Sequence, residues 1–110
     1  MRKALVIGTD DTIEVIDLDG PDGTLKILQN AVDGWVQVVD LNPKLSIWVN
    51  EEGKMHGLPV NKLATVMFQK VFGQVDIMVG NAVLTGGTDS EGETLGLTDE
   101  QVERFQIIFA

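Results

Sequence analysis

Apolar residues in this chain come in short segments whose period changes repeatedly between that of a strand and that of a helix. Residues 3–7 read as a first strand, and Gly8-Thr9-Asp10-Asp11 as a turn. Residues 12–18 alternate imperfectly but are rich in β-branched side chains, which predicts a hairpin partner. Asp19-Gly20-Pro21-Asp22-Gly23 is a loop by its turn chemistry. From residue 24 the period lengthens. Leu25, Leu28 and Val32 recur at helical spacing, with Thr24 or Asp22 as the expected cap and Gly34 as the expected left-handed stop.

Residues 35–41 and 45–49 predict two strands around an Asn42-Pro43-Lys44 turn. Asn50-Glu51-Glu52-Gly53 predicts a polar turn, and residues 54–56 a short returning strand. Asn61 opens a second helix that Gly73 ends. Its main face is expected at Leu63, Val66, Met67, Lys70 and Val71, widened by Phe68 and Phe72. An arc that wide suggests burial on more than one side, against a sheet and against a second copy of the chain. Residues 76–85 predict a strand bent at Gly80-Asn81, followed by a loop with a tight hairpin at Glu91-Gly92. Thr98 and Gln101 have capping-box spacing, and Leu97 and Val102 have staple spacing. They predict a last helix over residues 99–108, with Val102, Phe105 and Phe109 on one stripe. The fold class expected is α+β: one domain over residues 1–110, with a mainly antiparallel sheet of about five strands and about three helices.

Charge narrows the function. Eight basic residues stand against 17 acidic ones, for a net charge of −9. Nucleic acid backbones demand clustered Lys and Arg, so direct nucleic-acid binding is not expected, nor is an anionic membrane surface. No apolar run approaches the roughly 18 residues of a membrane span. The opening Met-Arg-Lys-Ala-Leu-Val-Ile-Gly reads as a strand rather than a signal peptide, and with no Cys in the chain a cytoplasmic location is expected. The acids are not evenly spread. Asp10, Asp11, Glu14, Asp17, Asp19 and Asp22 form one stretch without a base, and Asp89, Glu91, Glu93, Asp99 and Glu100 form another. Such stretches ordinarily solubilise a surface. They also suit an acidic face that meets a basic partner.

Catalytic and metal chemistry find little material. The one His and absent Cys leave only carboxylates for a metal. The Asp89-Glu91-Glu93-Glu100 spacing imitates a calcium loop but places Thr94 where that loop needs Gly. No metal, cofactor or catalytic residue is assigned. His56 sits beside a turn, and no Gly-x-Ser-x-Gly surrounds Ser46 or Ser90. Gly80 to Gly87 is glycine-rich but lacks the Gly-Lys-Ser/Thr ending of a phosphate loop. Trp48 shares a strand face with Ser46, opposite Leu45, Ile47 and Val49, and is a candidate interface residue.

A set of segments remains: Asn50-Glu51-Glu52-Gly53-Lys54, Gly57-Leu58-Pro59, Asn61 and Ala64-Thr65. With them stand Leu28-Gln29, Val32-Asp33-Gly34-Trp35-Val36 and Val79-Gly80-Asn81-Ala82. Together they resemble a family of short proteins of unknown function from bacteria, actinobacteria among them, and their phages. The likeness covers residues 25–86, and Asp33 and Trp35 depart from the Gly and Tyr that the family often carries. The resemblance implies a phage or mobile-element accessory protein and supplies no activity.

Two functions are expected from these features. One is a small acidic, non-enzymatic interaction protein, expected as a dimer, that binds or inhibits a host protein through Asp10, Asp11, Glu14, Asp17, Asp19 and Asp22. The other is a module for a small metabolite or nucleotide signal, with Asn50, Glu51, Glu52, Asn61, Thr65 and Asn81 as candidate ligand-binding residues. An enzyme would have to work with carboxylates such as Glu51 and Glu52. Most of the motif has a structural explanation in turns and caps; Glu51 and Glu52 have the weakest one.

Overall fold

The computed structural model describes residues 1–108. Strands β1 (Lys3–Ile7), β2 (Ile13–Asp17), β3 (Val36–Asn42), β4 (Leu45–Asn50) and β5 (Ala82–Thr85) form one sheet in the order β2-β1-β5-β4-β3. Every strand pairing is antiparallel. Helix α1 (Thr24–Val32) lies on one face, and α2 (Lys62–Phe72) and α3 (Asp99–Ile108) lie on the other. The α+β expectation therefore holds, in a three-layer form.

The pleat explains the layers. Leu5, Leu84 and Ile47 are cross-strand partners in one row, and they face α2 and α3 together with Ile7, Ala82 and Val49. Ala4, Val83 and Leu18 face the other way, where Leu28 and Val32 of α1 cover them. Both faces of β5 are buried, so its four residues can hold the centre despite their number. β5 is the last strand in the chain and the middle one in space. It joins the β1–β2 hairpin to the β3–β4 hairpin, which share no direct pairing.

Several boundaries differ from expectation. Gly23 is the N-cap of α1, and no side chain caps it. Neither Asp22 nor Thr24 takes that role; the Thr24 hydroxyl instead bonds the Leu18 carbonyl and accepts from Arg2. The left-handed residue after α1 is Asp33, with φ 62°, rather than Gly34. Gly34 is needed for a different reason, the close approach of Asn50. Residues 54–56 form turns, not a strand, because the N–H groups of Gly53, His56, Gly57 and Leu58 all bond carbonyls within residues 50–54. The expected strand over 76–85 is real only over Ala82–Thr85. Gly80 turns the chain with φ 75°, and Val79 makes a single bridge to Val60.

The face of α2 is also rotated from the one expected. Ala64 and Thr65 are buried, with Leu63, Met67 and Phe68 packed on the core, while Val66, Val71 and Phe72 are exposed. Ala64 enters the core cluster, and Thr65 bonds the Met78 backbone. Other signals transfer directly. Asn61 caps α2 by accepting from the Ala64 N–H. Thr98 and Gln101 exchange both capping-box bonds, and Leu97 and Val102 are buried in one cluster. Phe105 packs on that cluster, whereas Phe109 lies outside the described residues. The Glu91-Gly92 hairpin forms, closed by an Asp89 N–H to Glu93 carbonyl bond.

Candidate functional site

The polar side chains of the motif serve mainly as joints between elements. Asn50 Nδ2 donates to the Val32 and Asp33 carbonyls, and its Oδ1 accepts from the Glu52 N–H. It thereby ties the end of α1 to the end of β4. Asn61 is fully buried; its Nδ2 donates to the Ile7 and Gly80 carbonyls, each at 2.9 Å. Thr65 Oγ1 donates to the Met78 carbonyl and accepts from the Met78 N–H. Asn81 Nδ2 reaches the Ala31 carbonyl at 3.4 Å. Four of the six candidate ligand-binding residues thus spend their side-chain hydrogen bonds on backbone groups at turns and element ends.

Glu51 and Glu52 differ. The Glu52 carboxylate lies 4.0 Å from His56 Nε2 in an exposed pair. Glu51 is exposed, and its N–H donates to the Trp35 carbonyl. Glu51 is one of the residues lining a cleft of about 210 Å³ on the α2 side of the sheet. Val39, Val49, Phe68, Ile77 and Met78 give this cleft its apolar walls; Gln37, Glu51, Lys54 and Asp76 give it polar ones. Lys54 and Asp76 form an ion pair across it. The Lys54 ammonium and then the Ile77 N–H hold the Asp76 carboxyl below its ordinary range. The cleft brings together Asn50 and Glu51 but not Asn61, Thr65 or Asn81. Sequence inspection missed Gln37, Val39, Phe68 and Asp76. Lys54 stands within the recognised motif, but nothing local indicates its partner 22 residues away.

The two acidic stretches meet at one end of the sheet. The Arg2 side chain lies between them: Nε bonds Asp19 at 2.6 Å, and Nη1 donates to the Thr94 carbonyl at 2.7 Å. Lys3 Nζ pairs with Asp99 at 2.9 Å, and Lys3 also bridges to Leu97. Asp17 Oδ1 accepts from the Arg2 and Asp19 N–H groups. Arg2 lowers the Asp19 pKa, and Lys3 lowers that of Asp99. Asp22, Glu91 and Glu93 lie in the loops on either side, and among the described residues their carboxylates take part in no ion pair. The fold separates Asp10 and Asp11 from this end and sets them in the β1–β2 turn. There Asp10 accepts from the Thr12 hydroxyl and N–H, which lowers its pKa. Glu14 is exposed midway along β2.

Trp48 is half-buried and packs with the α1 cluster, and its indole N–H donates to Thr85 Oγ1 at 2.9 Å. Trp35 is the more exposed tryptophan, at 65%. Ser46 is buried and donates to Asp40. Among the described residues no three His, Asp or Glu side chains group to hold a metal ion, and no helix is long and apolar enough to cross a membrane.

Residues 1–110 match the family described as a domain of unknown function (DUF3846), and the chain belongs to that family. No curated protein and no solved structure matches it.

Proposed function

For this member of a family of unknown function, we propose a small, non-enzymatic interaction protein that binds a basic host protein through its acidic end. A phage or mobile-element accessory role in the cytoplasm goes with this reading. The observation that supports it is the meeting of the two base-free acidic stretches around Arg2 and Lys3. Arg2 and Lys3 are occupied in holding Asp19 and Asp99, so they do not neutralise Asp22, Glu91 or Glu93. A surface of one sign steers a partner of the other, with an on-rate that falls as salt rises. A homodimer belongs to the same reading, because Val66, Val71, Phe72 and Val75 leave apolar surface around the end of α2.

A small-molecule module draws less support. Small-molecule sites usually run about 300–1,000 Å³, and the cleft beside Glu51 is about 210 Å³. The amides of Asn50 and Asn61 are already committed to backbone carbonyls.

Affinity capture from a bacterial lysate at low and high salt tests the interaction reading. The triple variant Asp22→Lys, Glu91→Lys, Glu93→Lys leaves Asp17 and Asp19 with Arg2. It is expected to lose the captured protein while keeping its fold. Capture that is insensitive to both salt and charge reversal excludes the acidic end as the binding surface.

A further inference from the structure

The two edges of the sheet are chemically unlike. β2 forms one edge and β3 the other. An open strand edge is a template for another strand, and charged side chains blunt it. β2 carries Glu14 and Asp17 and is flanked by Asp10, Asp11, Asp19 and Asp22. β3, Val-Gln-Val-Val-Asp-Leu-Asn, carries only Asp40, whose carboxylate accepts from the Ser46 hydroxyl. Exposed Trp35 and Val38 lie along it.

The ladder phase identifies which groups are free. The Glu51 N–H bonds the Trp35 carbonyl, and β3 pairs with β4 in register from Val36↔Asn50 to Asp40↔Ser46. In an antiparallel ladder the bonded pairs alternate. Trp35, Gln37 and Val39 therefore bond toward β4, and Val36, Val38 and Asp40 turn their N–H and C=O groups to the open side. A bulge between Asp40 and Asn42 ends the usable edge there.

The 210 Å³ cleft lies under this edge: Gln37 and Val39 of β3 line it, with Val49 of β4 behind them. A strand added to β3 would place alternate side chains on the same face as Gln37 and Val39. The cleft has room for one such side chain. Its walls suit an aliphatic stem, and its mouth suits a cation. Lys54 answers Asp76, and among the described residues Glu51 is the charged lining residue that no ion pair compensates. Lys and Arg have that combination of apolar stem and charged head.

We propose that the β3 edge and its cleft form a strand-addition site for an extended protein segment that presents a Lys or Arg side chain to the cleft. Main-chain bonds to Val36, Val38 and Asp40 supply affinity, and Glu51 with the walls at Val39, Val49 and Phe68 supplies selectivity. This surface shares no residue with the acidic end, so each proposal can fail alone.

The test is an NMR titration of the ¹⁵N-labelled full chain with a blocked peptide, acetyl-Thr-Val-Thr-Lys-Thr-Val-Thr-amide. Its counterparts carry Glu or norleucine in place of Lys, or N-methyl groups on alternate amides. The Lys peptide is expected to shift the Val36, Val38 and Asp40 amides and to bind at least about tenfold tighter than the Glu peptide. Glu51→Gln should weaken the Lys peptide and leave the norleucine peptide unchanged. N-methylation should abolish binding on either protein. Val38→Pro should do the same, since its N–H faces the open side and its loss breaks no existing ladder bond. Equal affinity for the Lys and Glu peptides, shifts centred on β2 or the acidic end, or no shift at about 2 mM peptide would overturn the proposal. If Val38→Pro does not fold, the N-methylated peptide decides the main-chain part.

Discussion

Asn50 Nδ2 lies against Gly34 so closely that a Cβ on Gly34 would stand 2.6 Å from it. The contact lets one amide reach both the Val32 and Asp33 carbonyls and close α1 onto β4. Gly34→Ala should push the amide away and leave those carbonyls without their donor. Asn50→Ala should do the same directly. Each should cost about 1–3 kcal/mol, the desolvation penalty of a buried unsatisfied group. Because both act through one contact, the double variant should lose clearly less than the sum. Urea unfolding of the four proteins checks this, and additive losses would show that the contact is not shared.

Asn61 carries the corresponding joint on the other face. Asn61→Ala removes a helix cap and the donor to two buried carbonyls, an expected loss of about 2–4 kcal/mol. Asn61→Asp keeps an acceptor for the Ala64 N–H but points a carboxylate at the Ile7 and Gly80 carbonyls. That variant should be at least as unstable near neutral pH and should recover in part on acidification, as its carboxyl becomes protonated. A stability profile of Asn61→Asp that does not rise on acidification would contradict this account.

Acid should act in the opposite direction on the native chain through four exposed carboxylates. The pKa values of Asp10, Asp19, Asp76 and Asp99 are all lowered from 3.8, chiefly by hydrogen bonds from Thr12, Arg2, Lys54 and Lys3 respectively. A folded-state pKa below the unfolded one means stability that is present above the unfolded value. It is lost as pH falls through the folded value. Their contribution should therefore disappear from about pH 4 downward, and added salt should shrink it. Asp19→Asn combined with Asp76→Asn should flatten the acid limb of a denaturation profile, and an unchanged limb would assign the acid sensitivity to other groups.

Much of the fold is legible in the sequence because its signals are local. The Asn61 cap, the Thr98–Gln101 box and the Leu97–Val102 staple act within one helical turn, and all form. One error arises where distant residues decide, and another where a bend expected at Gly80 breaks the strand outright. The face of α2 follows from Asn61 reaching Ile7 and Gly80 and from Thr65 reaching Met78, not from its apolar stripe. The strand expected over 76–85 is shortened because Gly80 turns the chain between the Val79 bridge and β5. At the candidate site, Glu51 is legible as the motif residue that turn chemistry does not explain. Phe68, Gln37 and Asp76 are not, since only the tertiary fold brings them to the same cleft.

The motif should therefore divide under mutation. Asn50, Asn61 and Thr65 each satisfy backbone groups between elements, so their replacement should appear as lost stability. Among the described residues Glu51 bonds only through its N–H, which any residue but Pro supplies, and the Glu52 carboxylate meets only His56, in an exposed pair at 4.0 Å. Exposed pairs of that kind contribute little. Glu51→Gln and Glu52→Gln should each stay within about 0.5 kcal/mol of the parent in urea unfolding. A stability-neutral Glu51→Gln would leave its place at the cleft mouth as the remaining physical reason for a carboxylate there. A loss beyond about 1 kcal/mol would instead make Glu51 part of the scaffold and remove the basis for treating it as a binding residue.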